Sequence, residues 1–222
     1  MTTEEQSAYQ ATERMPGGGT SNIYRIKING RDYAIKVSPF NLQKEVDIYE
    51  AIGNHPNILK IVQSGVLSID TSEIEGDNNT GTFHAIVFPF IESNLATQIK
   101  ENNLSLQEKV MISKQVLDAL DHIHSKGITK NDIKSDDVLI GSAEDVVHAY
   151  LADFNTVKHF NLADELEQFQ LSQQVDFRHT LDMMIEIFSQ SNELVIKEAL
   201  SLLRDGENIS IKEIRNIFEK MS

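Results

Sequence analysis

Asp132, Lys134 and Asp137 fall within six residues of one another, in the run Ile128-Thr129-Lys130-Asn131-Asp132-Ile133-Lys134-Ser135-Asp136-Asp137, and the apolar segment Val138-Leu139-Ile140 follows at once. Further on, Tyr150-Leu151-Ala152 leads into Asp153-Phe154-Asn155. A carboxylate that accepts or orients a proton, an ammonium two places away and two carboxylates able to take a hard divalent cation suit phosphoryl transfer. That chemistry asks for positioning and charge neutralisation more than for covalent work. A solvated acidic turn would share this composition, but the apolar strand after Asp137 argues against it. Nearer the N-terminus, Lys36 sits inside the apolar pattern Ala34-Ile35-Lys36-Val37, where an unpaired ammonium would be costly. Glu45 is its candidate partner, with Glu50 as the fallback.

These groups need a frame, and the pattern supplies one. Residues 1–14 read as a polar flank or a short helix, and Pro16 to Asn22 as a glycine-rich turn. Ile23–Ile28 alternates as a half-buried strand, Asn29-Gly30 is a two-residue hairpin signal, and a second strand runs through Val37. Helical spacing covers 41–52, and a further strand is expected at 58–67. Thr71–Thr82 reads as an exposed polar loop before a strand at Phe83–Phe88. Beyond Pro89 the spacing is mainly helical. Ser105 and Glu108 form a capping box for a long amphipathic helix closed by Gly127. Helices are expected at 176–189 and 193–204, and Ser210 with Glu213 caps a last one. The expectation is an α+β chain of two lobes: a sheet-rich lobe at 15–88, a connector at 89–93 and a mainly helical lobe at 94–222.

With 222 residues, 20 Lys and Arg against 34 Asp and Glu, and no cysteine, the chain carries a formal charge of −14. Disulfides, zinc–thiolate sites and thiol nucleophiles are excluded. An acidic surface of this size repels nucleic acid and anionic membranes and tolerates basic partners. No apolar run approaches the roughly 20 residues of a membrane span, and the polar N-terminus is unlike a signal peptide, so the expected location is cytoplasmic or nuclear.

Taken together and in order, Gly17–Tyr24, Ala34-Ile35-Lys36-Val37, Glu45, His55-Pro56-Asn57-Ile58, Ile123–Ile128, Asp132-x-Lys134-x-x-Asp137 and Asp153-Phe154 resemble a eukaryotic-type serine/threonine protein kinase domain, shortened and divergent. The resemblance implies a bilobal fold and ATP with Mg²⁺, or Mn²⁺, as cofactors. It gives Lys36 the α- and β-phosphates, with Glu45 orienting it. Asp132 is then the catalytic aspartate, Lys134 the lysine that stabilises the transferred group, and Asp137 and Asp153 the metal ligands. Nucleotide contacts fall on Gly17, Gly18, Gly19, Ser21 and Ile23 in the glycine loop, on Ala34 and Lys36, on Phe88, Pro89 and Ile91 in the connector, and on Leu139.

Several positions depart from the family's pattern. Only Gly18 of its three loop glycines is in register. Its His-Arg before the aspartate is Lys130-Asn131, its metal-binding asparagine is Asp137, and Asn155 replaces the glycine after Asp153-Phe154. Asn tolerates left-handed backbone, which makes that last exchange acceptable. Asn131 carries no charge to bind a phosphorylated activation segment, so switching by phosphorylation of Thr156 or Ser172 is not expected. The Ala-Pro-Glu motif and the late arginine, here Asn208, are absent together. Asp176-Phe177 resembles the start of the buried central helix. The function implied is ATP-dependent phosphorylation of Ser/Thr hydroxyls on a protein substrate, basic peptides being the first guess. The alternatives are a pseudokinase that regulates a partner by contact and a small-molecule phosphotransferase.

Overall fold

The computed structural model describes residues 8–16, 21–143, 146–189, 194–206 and 210–219. They divide into two compact units. One takes the chain up to Glu50 together with Leu59–Ile91, and the other takes Ala51–Ile58 and the chain from Glu92 onward.

The first unit is a closed five-stranded barrel in the order β1-β2-β3-β5-β4. Its strands are β1 (Tyr9–Met15), β2 (Asn22–Ile28), β3 (Arg31–Ser38), β4 (Gln63–Asp70) and β5 (Gly81–Pro89). Helix α1 (Gln43–Ile52) follows β3. Asn29 and Gly30 both adopt positive φ, 51° and 78°, as a tight hairpin between β2 and β3 requires. Alternation along the strands sends Tyr24, Ile26, Ile35, Val37, Leu67, Ile69, Ala85 and Val87 into one buried core. Each large side chain so buried contributes about 1.5–3 kcal/mol.

Two expectations are corrected here. Residues 9–14 are not a flank or a helix. They belong to β1, which pairs antiparallel with β2 and, through Tyr9 and Gln10, parallel with β4 to close the barrel. The segment 71–80 is not merely an exposed loop either. Thr71 is fully buried with its N–H on Thr80 Oγ1 at 2.9 Å, and the Tyr24 hydroxyl donates to Asp77 at 2.9 Å. The strand expected from residue 58 begins only at Gln63.

The second unit is mainly helical. It contains β6 (Ser93–Asn94), α2 (Leu95–Glu101), α3 (Leu106–Ser125) and β7 (Ile128–Thr129), then the hairpin β8 (Val138–Ala143) and β9 (Val146–Leu151), and β10 (Lys158–His159). Helices α4 (Leu166–Ile187), α5 (Leu194–Arg204) and α6 (Ile211–Glu219) complete it. Ser105 and Glu108 form the reciprocal capping box that starts α3. The core is built from Ile112, Val116, Leu117, Leu120 and Ile123 of α3 with Leu181 and Met184 of α4 and Ile214 and Phe218 of α6, all at most 1% exposed. Helix α4 starts ten residues before the expected 176, so Asp176 lies inside it and not at its beginning. No described helix is long and apolar enough to cross a membrane.

Candidate functional site

In the first unit, Lys36 on β3 and Glu45 on α1 form a buried pair, with Nζ 2.9 Å from Oε1 and 2.8 Å from Oε2. The separation of nine positions between Lys36 and Glu45 is long enough because α1 begins only two residues before Glu45. Register places Ile23 opposite Lys36 and Ala34 opposite Phe88. Ile23, Ala34, Lys36 and Phe88 therefore share the barrel's outer face, since Tyr24, Ile35 and Val37 fill its inside. Phe88 is buried against Tyr49, their ring centroids 5.5 Å apart, and the Arg25 guanidinium lies over Phe90 at 4.3 Å. Pro89 is exposed, and Ile91 and Ser21 are half-buried. Gly17, Gly18, Gly19 and Asn208 lie outside the described residues.

In the second unit, the segment from Gly127 to Asp137 is clamped from several sides. Gly127 has φ 72°, and a Cβ there would meet the carbonyl of Phe160 at 2.9 Å, so only glycine fits beneath the β7–β10 pair. Asp176, fully buried in α4, accepts the N–H of Lys130 at 2.9 Å and of Asn131 at 2.6 Å, and its Oδ2 lies 2.8 Å from His124 Nε2. Asn131 reaches this geometry with φ 64°, which lets two successive N–H groups converge on one carboxylate. A closed ring of hydrogen bonds adds to it. Ser172 Oγ donates to Asn131 Oδ1 at 2.5 Å, Asn131 Nδ2 to Thr129 Oγ1 at 3.1 Å, and Thr129 Oγ1 and Ser172 Oγ lie 2.8 Å apart. Thr156 Oγ1 donates to the Lys130 carbonyl at 3.1 Å. Neither Asn131 nor Ser172 was recognised as a fastener in the sequence. Their spacing carries no periodic signal.

On this clamped loop, Asp132 and Lys134 are half exposed, with Lys134 Nζ 3.2 Å from Asp132 Oδ2. The hydrogen bond to Asp132 is the main reason the Lys134 ammonium is held to its proton more tightly than usual, helped by the charge of Asp137. Asp137 ends a short 3₁₀ turn, Ser135–Asp137, and its carbonyl accepts the Ala152 N–H at 2.9 Å. Its carboxylate is buried, which pushes its pKa up, while Lys130 opposes that shift from 2.8 Å. Lys130, read from the sequence only as a lost histidine, is 1% exposed and also donates to the Asp132 carbonyl at 2.8 Å. Asp153 is half-buried with φ 56°. The left-handed residue of that turn is thus Asp153, so the tolerance of Asn155 for that conformation is not called on. Leu139 is half-buried on β8, paired with Asn94 and Tyr150.

Among the described residues no three His, Asp or Glu side chains are grouped to hold a metal by themselves. Asp153 nevertheless fits magnesium in its usual protein setting, where one or two carboxylates suffice and phosphates and water complete the shell.

A family model for the protein kinase domain matches residues 9–175, three quarters of the chain. The chain belongs to that family. This kinase domain is similar to the probable serine/threonine-protein kinase glkA of Dictyostelium discoideum, 29% identical over 68% of this chain and 30% of that protein. It also resembles a putative serine/threonine-protein kinase of Acanthamoeba polyphaga mimivirus, 25% identical over 81% of this chain and 32% of the relative. The serine/threonine-protein kinase CLA4 of Candida albicans is 31% identical over 60% of this chain and 14% of its own length. The kinase domain therefore spans about a third or less of these relatives.

Proposed function

We propose that this chain transfers the γ-phosphoryl group of ATP to serine or threonine hydroxyls of a protein substrate. The observation that carries this reading is the half-exposed Asp132–Lys134 pair, at 3.2 Å, on a loop whose backbone is clamped to buried Asp176. A carboxylate held in this way is placed to orient an incoming hydroxyl and accept its proton, and Lys134 to offset charge on the phosphoryl group in transfer. In the first unit, Lys36, fixed by Glu45, would hold the nucleotide's phosphates, and Ile23, Ala34 and Phe88 offer it an apolar face. Pro89 has a carbonyl for an adenine amine and Ile91 an N–H to offer. Asp153 would hold magnesium, whose contribution when bound is to neutralise the phosphate oxygens. On the family's pattern Ser21, Leu139, Gly17, Gly18 and Gly19 would also contact nucleotide.

The loop needs no phosphate to order it. Asn131 is fastened by neutral hydrogen bonds, Ser172 is buried among them, and Thr156 is already engaged with a carbonyl. The reading is therefore a kinase active without phosphorylation of that segment, and the charge of −14 favours basic peptides as substrates over nucleic acid or membranes. Lys130 seated on Asp137 is the one observation that favours the second reading, a kinase-like module acting by contact.

The test is label transfer from γ-labelled ATP with magnesium or manganese to the protein itself and to basic peptides. Wild type should transfer, and Asp132→Asn should lower the rate by about 10²–10⁴-fold. Absence of transfer with every metal and peptide, alongside a retained MgATP thermal shift, would favour the contact module.

A further inference from the structure

The outer face of the barrel, which carries Ile23, Ala34, Lys36 and Phe88, ends toward the connector in a line of polar side chains. Glu13 stands opposite Arg25, and Arg25 opposite Ala34. Arg25 shares that outer face, because its neighbours Tyr24 and Ile26 fill the inside. Its guanidinium donates to Asp32 Oδ2 at 2.7 Å, stands 3.7 Å from Glu13 Oε2 and lies over the Phe90 ring at 4.3 Å. The Arg25 hydrogen bond holds the Asp32 carboxyl below the usual carboxylate range, so its acceptor is charged at neutral pH. Phe90 itself follows the last rung of the sheet. Strand β3 pairs with β5 as far as Tyr33 with Pro89, and β4 only as far as Gln63 with Val87. Pro89 has no N–H to add to a ladder. Phe90 and Ile91 therefore lie beyond strand pairing on either side, and they carry the chain on from the Pro89 carbonyl to the Ile91 N–H. Between those two backbone groups sits the ring on which the guanidinium rests. A planar guanidinium that is itself ion-paired holds an aromatic face more firmly than apolar contact alone.

We infer that Arg25 is a positioning residue for the nucleotide: braced on the sheet by Asp32 and Glu13, it pins Phe90 and with it the connector backbone that would receive the adenine base. The inference rests on the nucleotide-binding reading above. Arg25 touches no phosphate and no reacting atom in this scheme. Its effect falls on the base, and reaches it through the Pro89 carbonyl and the Ile91 N–H.

Calorimetric titration of the full chain with MgATP and with adenosine, which carries no phosphate, tests this. Arg25→Lys keeps a charge for Asp32 and loses the planar stack, whereas Phe90→Leu keeps an apolar side chain and loses the ring. Each is expected to weaken both ligands by the same factor, about fivefold, the worth of one such stack. The two substitutions together should weaken binding no further than either alone, because both remove one interaction. Phe90→Tyr keeps the ring and should bind as wild type does. A loss confined to MgATP would overturn the inference and make Arg25 a charge acting on phosphates. Losses that multiply in the double variant, or unchanged binding in every variant, would overturn it too. Those outcomes leave wild-type nucleotide binding standing, whereas a wild type that takes neither ligand would end both the inference and the reading beneath it. The two Phe90 variants leave the ion pair whole and decide the matter if Arg25→Lys folds poorly.

Discussion

Each unit of this molecule contains one buried lysine on a carboxylate at 2.8 Å, and the two pairs are built for different ends. Lys36 meets both oxygens of Glu45 from a strand and keeps 11% of its side chain exposed. Lys130 takes one oxygen of Asp137 and a backbone carbonyl from within a loop, and is 1% exposed. The first arrangement keeps part of its lysine side chain exposed, where the proposed nucleotide phosphates would meet it. The second encloses its ammonium, so the charge acts on the loop around it. Equal separation therefore does not mean equal role; the remaining exposure decides it.

The largest expected effect tests the enclosed pair. Lys130→Ala should cost about 3–5 kcal/mol of stability in denaturant unfolding, because it strands a buried carboxylate. Adding Asp137→Asn to it should recover most of that loss, since removing both charges is far safer than removing one. If the double variant is as unstable as the single, Lys130 acts through packing of its stem and the contrast between the two pairs collapses.

Lys36→Met probes the open pair and should lower stability less, by about 2 kcal/mol, since the opening that leaves Lys36 11% exposed admits water to Glu45 once the ammonium is gone. Its main effect should fall on ligand. The thermal shift on adding MgATP that the wild type is expected to show should disappear. A shift that survives the substitution would make Lys36–Glu45 a structural pair like the other.

How much of this was legible depended on the range of the interaction. Lys36, Glu45, Asp132 and Lys134 could be picked out because a charged residue inside an apolar strand, or a dense charged run before one, is visible in a short window. The Asn29-Gly30 hairpin and the Ser105–Glu108 cap are equally local, and both formed as expected. Lys130 was not legible, since its burial comes from the fold closing around it and its partner lies across a 3₁₀ turn. The ring of Thr129, Asn131 and Ser172 joins residues more than forty positions apart, and no periodicity announces it. Strand β1 was misread for a related reason. Its sequence is polar, and it becomes a strand because its neighbours leave a barrel edge to be paired on both sides.

A third buried carboxylate sharpens the contrast, with the smallest expected effect. Asp77, its side chain 2% exposed, has among the described residues the half-exposed Arg14 at 3.6 Å for a cation. Burial resists its charge, but the Asn79 N–H, the Tyr24 hydroxyl, the Asn79 amide and Thr71 outweigh that and hold its pKa below the usual carboxylate value. A folded pKa below the unfolded one means that ionised Asp77 stabilises the fold at neutral pH. That contribution is lost as pH falls through the folded value. Tyr24→Phe should therefore cost about 1 kcal/mol at neutral pH, one hydrogen bond's worth. The gap between variant and wild type should narrow once Asp77 is protonated, below about pH 4. Unfolding curves at neutral and acid pH check this directly. A gap that stays constant would mean that the hydroxyl serves the barrel core and not the charge, leaving neutral donors unable to do for Asp77 what Lys130 does for Asp137.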